Sequence, residues 1–461
     1  MSGVDLPEGW VFVKLGDYIE VIRGASPRPK GDPRYFGGEI PWISIRDVNA
    51  EKGRFLSKTV EGVTQAGAEK SRLVPIGGLI LSNSGSVCIP KILKVEGCIH
   101  DGFVTFPDLD KNFCTEYFYN LFDWMRPAVI HANKQGVTQV NLNTGIVKAF
   151  NIPIPPLAEQ KVIAAKLDEL LAQVDSIKTR LDAIPNILKR FRQSVLAAAV
   201  SGKLTGITST ATSPIGSLAE VIGGLTKNSK RKEFNIKKPY LRVANVYENE
   251  LRLDNVQEIG VEEKELDRIQ LKKGDLLIVE GNGSIDQIGR VAIWNDEIKG
   301  CVHQNHLIKI RLDPKIFLGK YMLYFLMSPQ GKSEIVSRAT SGAGLFTLSI
   351  SKISSIAIPI YSLEEQTEIV RRVEQLFAFA DQIEQQVKNA QSRVNNLTQS
   401  ILAKAFRGEL TADWRAKNPE LISGENSAEA LLARIKAERA VMQPVKQQRA
   451  RQVRVKPRKA G

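Results

Sequence analysis

The stretch Ile152-Pro-Ile-Pro-Pro-Leu-Ala-Glu-Gln160 has a counterpart later in the chain, Ile358-Pro-Ile-Tyr-Ser-Leu-Glu-Glu-Gln366. The two copies stand 206 positions apart, and this offset holds without a gap from residues 152–205 to residues 358–411. A repeat of this length and separation indicates that the chain consists of two similar halves. The remaining sequence is interpreted around these two segments.

Both copies carry apolar residues at steps that alternate between four and three positions. An apolar seam of period 3.5 that continues over four or more heptads is typical of a coiled coil. Each narrow seam needs a partner of equal length, so we expect the two copies to pair. The alternative is two separate amphipathic helices, each packed on its own domain. The seam residues are Ile163, Leu167, Leu170, Val174, Ile177 and Leu181 in the first copy, and Ile369, Val373, Leu376, Ile383, Val387, Val394 and Leu397 in the second.

Local signals predict where these helices begin and end. Ser362 and Glu365 have the spacing of a capping box at the start of the second helix. Gly202 and Gly408 stand where a glycine in the left-handed conformation ends a helix. If each segment is one continuous helix, it reaches roughly 50 Å at about 1.5 Å per residue.

One residue disturbs the first helix. Pro185 stands where the second copy has Gln391. Proline removes a backbone hydrogen bond and costs about 3 kcal/mol inside a helix. We therefore expect a break or kink near Ile184, with Pro185 restarting the helix.

The segments that precede the two helices are predicted to be mixed α/β domains. Strands are expected at residues 40–45 and 78–82, a helix at 117–129 and a loop at 24–38. Several frames recur in the second half: Trp42 matches Tyr240, and Cys98-Ile-His100 matches Cys301-Val-His303. The loop residues mostly differ, so two copies of one scaffold carry different recognition surfaces. The predicted organisation is a first domain at 1–150, a helical segment at 151–205, a second domain at 206–357, a helical segment at 358–411 and a tail at 412–461.

The composition favours a polyanionic partner. The formal charge is +14 and the pI is near 9.5, which points first to nucleic acid. The tail has seven Lys or Arg and no Asp or Glu from Gln443 onward, so we expect a short helix at 428–440 followed by disorder with electrostatic contacts. The sequence has neither a long apolar run nor a signal peptide, and its four irregularly spaced cysteines suit a reducing compartment, so a cytoplasmic protein without membrane association is expected.

A search for catalytic patterns returns little. The chain has no glycine-rich methyl-donor loop joined to an Asn/Asp-Pro-Pro-aromatic turn, and no phosphate-binding Gly-x-x-x-x-Gly-Lys-Ser/Thr motif. Cys301, His303 and His306 are three possible metal ligands, but a zinc site needs about four, so a buried thiol with ordinary histidines is the preferred interpretation. Spacing alone does not exclude a set of nuclease carboxylates, although Asp108 and Glu116 lack the lysine that follows in such sites.

Binding residues are easier to nominate. Arginine reads guanine, and asparagine or glutamine reads adenine, when loops present them to base edges. For each single candidate, an ordinary position on the solvated surface is an equally good explanation of the residue type. The two sets taken together indicate contact with DNA. The candidates are Lys30, Arg34, Arg46, Asn83, Ser84, Asn133, Lys134, Gln135, Thr138 and Gln139 in the first half, and Lys227, Lys230, Arg231, Arg242, Asn245, Asn282, Ser284, Arg338 and Ser341 in the second.

Taken together, these features resemble the specificity subunits of type I restriction-modification enzymes. The resemblance covers nearly the whole chain and rests on Leu6-Pro-Glu-Gly-Trp10, on the repeated segment from Ile152, and on the duplicated helix. The stretch from Arg393 to Thr411 with the following Ala-Asp-Trp-Arg resembles the K/B-type branch.

The resemblance implies an α+β chain with two target recognition domains, separated by an antiparallel coiled coil with pseudo-twofold symmetry. Each domain would read one part of a split, asymmetric target in double-stranded DNA. Two modification subunits that bind S-adenosylmethionine and two restriction subunits that use ATP and Mg²⁺ would complete the complex. This chain would hold no cofactor, no metal and no catalytic residue of its own.

Two other functions compete with this interpretation. A coiled-coil scaffold with protein-binding end domains predicts no sequence-dependent DNA binding. A self-sufficient DNA methyltransferase predicts methyl transfer by the purified chain alone, and the missing motifs speak against it.

Overall fold

The computed structural model describes residues 6–133, 142–207, 209, 211–342 and 344–454, with only the backbone described at residue 133 and at residues 442–454. The chain divides into two compact units. Unit 1 comprises Met1–Thr179 and Gln391–Gly461, and unit 2 comprises Arg180–Ala390. Each unit therefore contains one globular domain, here called domain 1 and domain 2, together with a part of each long helix.

The repeated segments form two long helices of 44 residues each, Leu157–Val200 and Leu363–Phe406. The predicted capping box is present, because the Ser362 N–H donates to Glu365 Oε2 at 2.8 Å and the Glu365 N–H donates to Ser362 Oγ at 3.2 Å. Both predicted terminal glycines have the left-handed conformation, with φ of 76° at Gly202 and 75° at Gly408.

The break expected at Pro185 was predicted wrongly. The first helix runs through this residue without interruption. Pro185 has no N–H to donate to the carbonyl of Leu181, but its side of the helix is exposed, so water can hydrogen-bond the carbonyl that is left free. The cost of about 3 kcal/mol is small against the packing of a helix of this length.

The seam is buried over most of its length. Ile163, Leu167 and Val174 of the first helix lie in one core with Ile401 and Leu402 of the second. The remaining seam residues are buried at Ile369, Val373 and Val387, and half-buried at Leu170, Leu181, Leu376, Ile383 and Val394. Ile177 and Leu397 depart from the prediction, being 44% and 45% exposed. A straight α-helix drifts about 20° per heptad from a 3.5-residue grid, so a strict grid does not stay on the buried face throughout.

Within each unit the two helices are antiparallel and make equivalent contacts. In unit 1, Lys166 Nζ donates to the Leu410 carbonyl at 3.2 Å. In unit 2, Arg372 donates to the Leu204 carbonyl at 2.6 Å. Lys166 corresponds to Arg372 and Leu204 to Leu410 at the offset of 206, so the contact is exchanged between the two copies. This exchange is the local signature of an internal twofold relation.

Domain 1 contains two mixed β-sheets and a short two-stranded sheet at which the chain enters and leaves the domain. The helix Thr115–Asn133 packs into the hydrophobic core of unit 1. The predicted strands and helix are confirmed within one to four residues. In spatial order, the sheets are Val11–Lys14 with Asn151–Ile154; Ile22–Arg23, Phe103–Thr105, Leu79–Ser82, Pro90–Leu93 and Phe55–Leu56; and Glu61–Val63, Phe36–Ile43, Gly97–Ile99 and Arg72–Val74. The shorter helices are Leu15–Tyr18, Ile45–Ala50, Gln65–Glu69, Leu109–Asn112 and Thr144–Lys148.

Domain 2 repeats the order of the strands. Its sheets are Thr212–Pro214 with Ala357–Pro359; Ala219–Gly223, Leu307–Leu312, Leu276–Val279 and Val291–Ile293; Gln257–Val261, Ile236–Leu241 and Val302–His303; Val246–Tyr247 with Glu250–Leu251; and Gly281–Asn282, Leu345–Thr347 and Thr340–Gly342. Its helices are Ile215–Leu218, Glu263–Ile269, Gly319–Met327, Pro329–Arg338 and Ile350–Ser354, with 3-10 turns at Ser229–Lys232 and Val243–Asn245.

One predicted frame match is shifted by a residue. The His100 N–H donates to the Ile43 carbonyl, and the equivalent bond in domain 2 comes from Gln304 to Leu241. His100 therefore corresponds to Gln304, not to His303. Successive side chains of a strand point to opposite faces, which explains why His303 is fully buried while His100 is half-exposed.

Each domain is fixed to its helix by an equivalent pair of buried bonds. Gln160 Oε1 accepts from the Cys114 N–H at 3.0 Å, and Gln366 Oε1 accepts from the Leu318 N–H at 2.7 Å. Both glutamines are fully buried. The Tyr117 hydroxyl donates to the Pro153 carbonyl at 2.9 Å, as that of Tyr321 does to Pro359 at 3.1 Å. An unsatisfied buried polar group costs about 1–3 kcal/mol, so these bonds hold each joint in one geometry.

An ion pair adds to each joint. Arg54 of domain 1 pairs with Asp168 of the first helix, and Lys320 of domain 2 pairs with Glu374 of the second. The two acidic residues are again 206 positions apart. The basic partners come from different places in the two domains. The position of the acidic residue is therefore repeated, whereas the position of its partner is not.

The tail contains the helix expected from residue 428, and it is folded beyond that helix as well. Helices form at Ala412–Lys417 and Ala428–Arg454, with 3-10 turns at Pro419–Leu421 and Gly424–Asn426. Leu431, Leu432 and Ile435 are buried in the core of unit 1. The fully buried carboxylate of Glu159 ties the chain ends together, accepting from Trp10 Nε1 at 2.9 Å, from the Thr411 hydroxyl at 2.7 Å and from the Arg415 guanidinium. Composition predicted disorder from residue 443, but the anchored helix continues to Arg454.

Candidate nucleic-acid interface

In domain 1, polar loops that are distant in sequence meet at the turn His100–Gly102. Asp101 Oδ1 accepts from the Ser26 hydroxyl at 2.6 Å, and the Asp101 carbonyl accepts from Arg23 Nε at 2.8 Å. The Asn83 N–H donates to the Gly102 carbonyl at 2.8 Å. The loops that start at residues 23 and 83 are thereby held side by side.

A cavity of about 620 Å³ opens beside this turn. Two of its walls are the rings of Phe36 and Trp42, which meet edge to face with centroids 5.7 Å apart. The His100 ring lies 6.0 Å from that of Trp42. Burial lowers the pKa of His100 more than the neighbouring Asp101 raises it, so the imidazole is neutral at pH 7. Its Nδ1 accepts from the Gly102 N–H at 2.8 Å.

The predicted cationic side chains of domain 1 differ in whether a carboxylate already pairs with them. Lys30 is exposed and lines the cavity. Arg46 pairs with Glu61, another lining residue, at 3.0 Å. Arg34 pairs with Asp32 at 2.6 Å, and its hydrogen bonds lower the pKa of that carboxyl to about 2. All three side chains are exposed and able to meet phosphates, although Arg34 and Arg46 must share their charge with a carboxylate.

Asn83 and Ser84 have separate positions. Ser84 lies at the turn, since a Cβ placed on Gly102 would come within 2.8 Å of its hydroxyl. Asn83 is only 1% exposed, and among the described residues its side-chain amide has no hydrogen-bond partner. This burial contradicts direct base contact by Asn83 in the structure as it stands.

The other candidates of domain 1 fall outside the described part of the chain. These are the side chain of Asn133 and the residues Lys134, Gln135, Thr138 and Gln139. The description resumes at Leu142, whose N–H donates to the Asn83 carbonyl at 2.8 Å.

In domain 2 a small three-stranded sheet carries two of the candidates, and a third, Ser284, follows one of its strands. Asn282 pairs with Phe346, and Phe346 pairs in turn with Ser341. Asn282 Oδ1 accepts from the Ser284 N–H at 3.0 Å, which fixes the amide on the loop. Sequence analysis missed Lys352, whose ammonium donates to the Thr340 hydroxyl at 3.1 Å on the same sheet. Its position within the helical turn after the sheet gave no separate signal.

Lys227 and Lys230 are exposed on one loop of domain 2, where they remain candidates for phosphate contact. Arg231 beside them is committed to the fold. It pairs with Glu265 at 2.9 Å and donates to the carbonyls of Thr226 and Gly260. Hydrogen bonds from Arg231 are the main cause that lowers the pKa of Glu265.

Two further candidates are also held by backbone contacts. Asn245 is 3% exposed, and its amide accepts from the Arg242 N–H and donates to the Arg252 carbonyl. This contradicts base contact by Asn245. Arg242 itself donates to the Asn255 carbonyl at 3.0 Å. Arg338 is half-buried and pairs with Glu334.

The aromatic and sulfur groups that sequence analysis considered are core residues. Trp42 and Tyr240 are 4% and 2% exposed. Cys301 is buried, and burial raises the pKa of its thiol to about 12. Burial also lowers the pKa of His303 to about 4, and its Nδ1 donates to the Leu307 carbonyl at 2.8 Å. The thiol of Cys301 is therefore buried, as the sequence analysis expects.

Among the described residues, no three His, Cys, Asp or Glu side chains come together in a way that would hold a metal ion. No helix within the described ranges is both long and apolar enough to pass through a membrane.

Comparison with known proteins places the chain. The family model for the type I restriction modification DNA specificity domain matches residues 7–186 and 209–391. The StySPI specificity subunit of Salmonella potsdam is 39% identical over 462 residues, which cover 96% of this chain and 98% of that subunit. The EcoKI specificity subunit of Escherichia coli strain K12 is 39% identical over 474 residues, covering 95% and 97%.

Solved structures show the same fold at low identity. A chain from a structure of a type I restriction-modification system superposes with a TM-score of 0.66 at 17% identity, covering 88% of this chain and 99% of that chain. Two domains of one family model, two pseudo-equivalent long helices and relatives matched over nearly their full length agree. The chain therefore belongs to the DNA specificity subunits of type I restriction-modification enzymes, in their K/B-type branch, and is a recognition subunit rather than a catalytic one.

Proposed function

We propose that domain 1 and domain 2 each read one half of a split, asymmetric DNA sequence, while the paired helices set the number of unread base pairs between the halves. The observation that supports this proposal is a contrast between the joints, which repeat, and the loops, which do not. The joints between domain and helix repeat bond for bond, at Gln160 and Gln366 and at Tyr117 and Tyr321. The loops on the same scaffold differ in sequence, as Lys134-Gln135-Gly136 against Thr340-Ser341-Gly342 illustrates. Two domains that are attached to the helices in the same way but carry different loops are suited to recognise two different DNA sequences.

The readers are proposed to use phosphate contacts for position and loop contacts for sequence. Lys30, Lys227 and Lys230 are exposed and suited to phosphates. Arg46, on the helix Ile45–Ala50, and Ser84 of domain 1 are proposed to approach base edges. Asn282 and Ser341, on the small sheet of domain 2, are proposed to do the same. Binding through several phosphates falls steeply as salt rises, because counterions are released on association.

The chain works within a larger assembly in this proposal. Two modification subunits carrying S-adenosylmethionine dock on the paired helices and domains and methylate adenine. Two restriction subunits that use ATP and Mg²⁺ add translocation and cleavage, and the complex acts in the cytoplasm. The twofold relation between the contacts of Lys166 and Arg372 supports two equivalent places for an identical partner.

Sequencing of methylated adenines tests the proposal. Cells that express the chain with its modification subunits should show methylation at one bipartite sequence with a fixed unread gap. Exchange of residues 1–150 for the corresponding domain of the EcoKI subunit should change one half of that sequence and leave the other half and the gap intact. Methylation that is independent of sequence, or a change in both halves, would contradict the proposal.

A further inference from the structure

From the cavity of domain 1 we infer a binding site for a single nucleotide, with its planar base against the aromatic wall at Phe36 and its phosphate at the basic rim. This inference rests on the proposed function and deepens it. The nucleotide has two possible sources, a base turned out of the bound duplex or a free mononucleotide, and the experiment below separates them.

Shape is the first argument. Groove readout uses convex elements, such as a helix or a ribbon, that enter a concave groove. A cavity of about 620 Å³ instead receives something that protrudes, and its size falls within the usual range of small-molecule sites. In a duplex, a base becomes such a protruding group when it is rotated out of the stack, at a cost of a few kcal/mol.

The walls suit an aromatic ring. Phe36 and Trp42 line the space, and stacking of a base on an aromatic side chain contributes about 1–3 kcal/mol. Gly38 and Gly62 also line it, and a Cβ on Gly62 would lie 2.0 Å from the Gly38 carbonyl. The backbone at this wall is therefore bare of side chains. Both ring nitrogens of His100 are engaged, Nδ1 by the Gly102 N–H and Nε2 at 3.2 Å from Asp101 Oδ1, so His100 closes the wall without offering a free hydrogen-bonding edge.

The rim suits a phosphate. Arg28 and Lys30 line the entrance and are exposed. The guanidinium of Arg28 stands 3.9 Å from the Asp101 carboxylate, too far for a hydrogen bond, so it is available to an incoming anion. Val60 is an apolar rim residue that is 72% exposed, an arrangement that gains from cover by a ligand.

The equivalent region of domain 2 is built differently. In domain 2 the loop that follows Gly224 lies on its sheet, because Arg231 bridges to Glu265 and to the Gly260 carbonyl. A Cβ on Gly260 would lie 1.9 Å from the Arg231 carbonyl, which shows how closely this loop is packed there. The same scaffold thus closes over this region in one half and leaves it open in the other.

The experiment uses the full chain assembled with its modification subunits. Single mismatches are placed through the domain 1 half of the target sequence, and affinity is measured for each. A mismatch at a position read in the groove weakens binding, whereas a mismatch at a base that is turned out strengthens it, because the unpairing cost has been removed. We expect binding at least tenfold tighter at one position other than the methylated adenine.

Two variants provide the control. Val60→Trp fills the rim and should abolish the tenfold gain. Ile76→Trp makes the same change at a residue of domain 1 that is 67% exposed and does not line the cavity, and it should keep the gain. In parallel, dAMP, dCMP, dGMP and dTMP are titrated into the full-length chain. Binding of one of them that Val60→Trp removes and Ile76→Trp retains, without a mismatch effect, assigns the site to a free nucleotide.

The inference is overturned if every mismatch outside the methylated adenine weakens binding and no mononucleotide binds, or if both effects survive Val60→Trp. A complex that fails to select any bipartite sequence contradicts the proposed function itself. The two failures are therefore distinguishable.

Discussion

At the scale of single residues, identical side chains at equivalent positions of the repeat have different structural roles. Glu159 and Glu365 occupy the same place in the two copies of the helix. Glu365 completes a capping box with Ser362, which its local sequence predicts. Glu159 is fully buried and binds Trp10, Thr411 and Arg415. Two of those partners stand some 250 positions away in sequence, so no local pattern reveals the network.

We predict that Glu159→Gln lowers the free energy of unfolding of unit 1 by about 2–4 kcal/mol, since removing one charge of a buried pair leaves the other uncompensated. Arg415 is only 13% exposed in this pair. Hydrogen exchange of residues 6–18 and 411–435 measures the effect. Glu365→Gln is the matched control and should cost about 1 kcal/mol or less. Equal exchange in both variants would show that the network adds nothing beyond a helix cap.

At the scale of elements, periodicity predicts what is local and fails where tertiary packing decides. The two helices, their ends and the principal strands follow from the 3.5-residue grid, the capping box and the glycines. The helix through Pro185 does not follow, because local cost is outweighed by packing along 44 residues. The pairing of His100 with Gln304 does not follow either, because strand register depends on backbone bonds that similar letters do not record.

The candidate site shows the same division. Residue type nominates lysines such as Lys30 and Lys230, which the structure places on the surface, and their contact with DNA stays a prediction. It fails for Asn83 and Asn245, which are buried, because an asparagine suited to an adenine is equally suited to a turn of the backbone. The cavity beside Trp42 was not foreseen, since its walls come from four separate parts of domain 1.

Pro185 offers a test of the helix. Replacement by alanine restores the hydrogen bond to the Leu181 carbonyl, and should stabilise this stretch by about 1–3 kcal/mol. The recognised DNA sequence should stay the same. Slower hydrogen exchange of residues 178–192 is the expected readout. Asn186→Ala, at an exposed neighbouring position, controls for helix propensity alone and should contribute about 0.5 kcal/mol. Unchanged exchange in Pro185→Ala would mean that the helix is open at this residue in solution.

At the scale of the whole molecule, the two halves share mounting and differ in surface, and a net charge of +14 favours approach to DNA whatever its sequence. Selectivity then has to come from the two domains and from the distance between them. Residues 181–187 and 387–393 are equivalent segments of the two helices at the offset of 206, and Arg192, in the turn after the first segment, pairs with Asp381 and Glu384 of the second helix.

Removal of both of these heptads keeps the apolar seams in register and shortens the paired helices by about 10 Å at 1.5 Å per residue. With about 3.4 Å between successive base pairs of a strand, the unread gap should shrink by about three base pairs, while both half-sequences stay as they were. The methylated motif in cells measures this directly. Removal of residues 181–187 alone puts the two seams out of register, so that variant should lose specific binding and not acquire a new gap. A double deletion that still methylates the original motif would show that something other than helix length sets the spacing, because no joint at Gln160 or Gln366 has been altered.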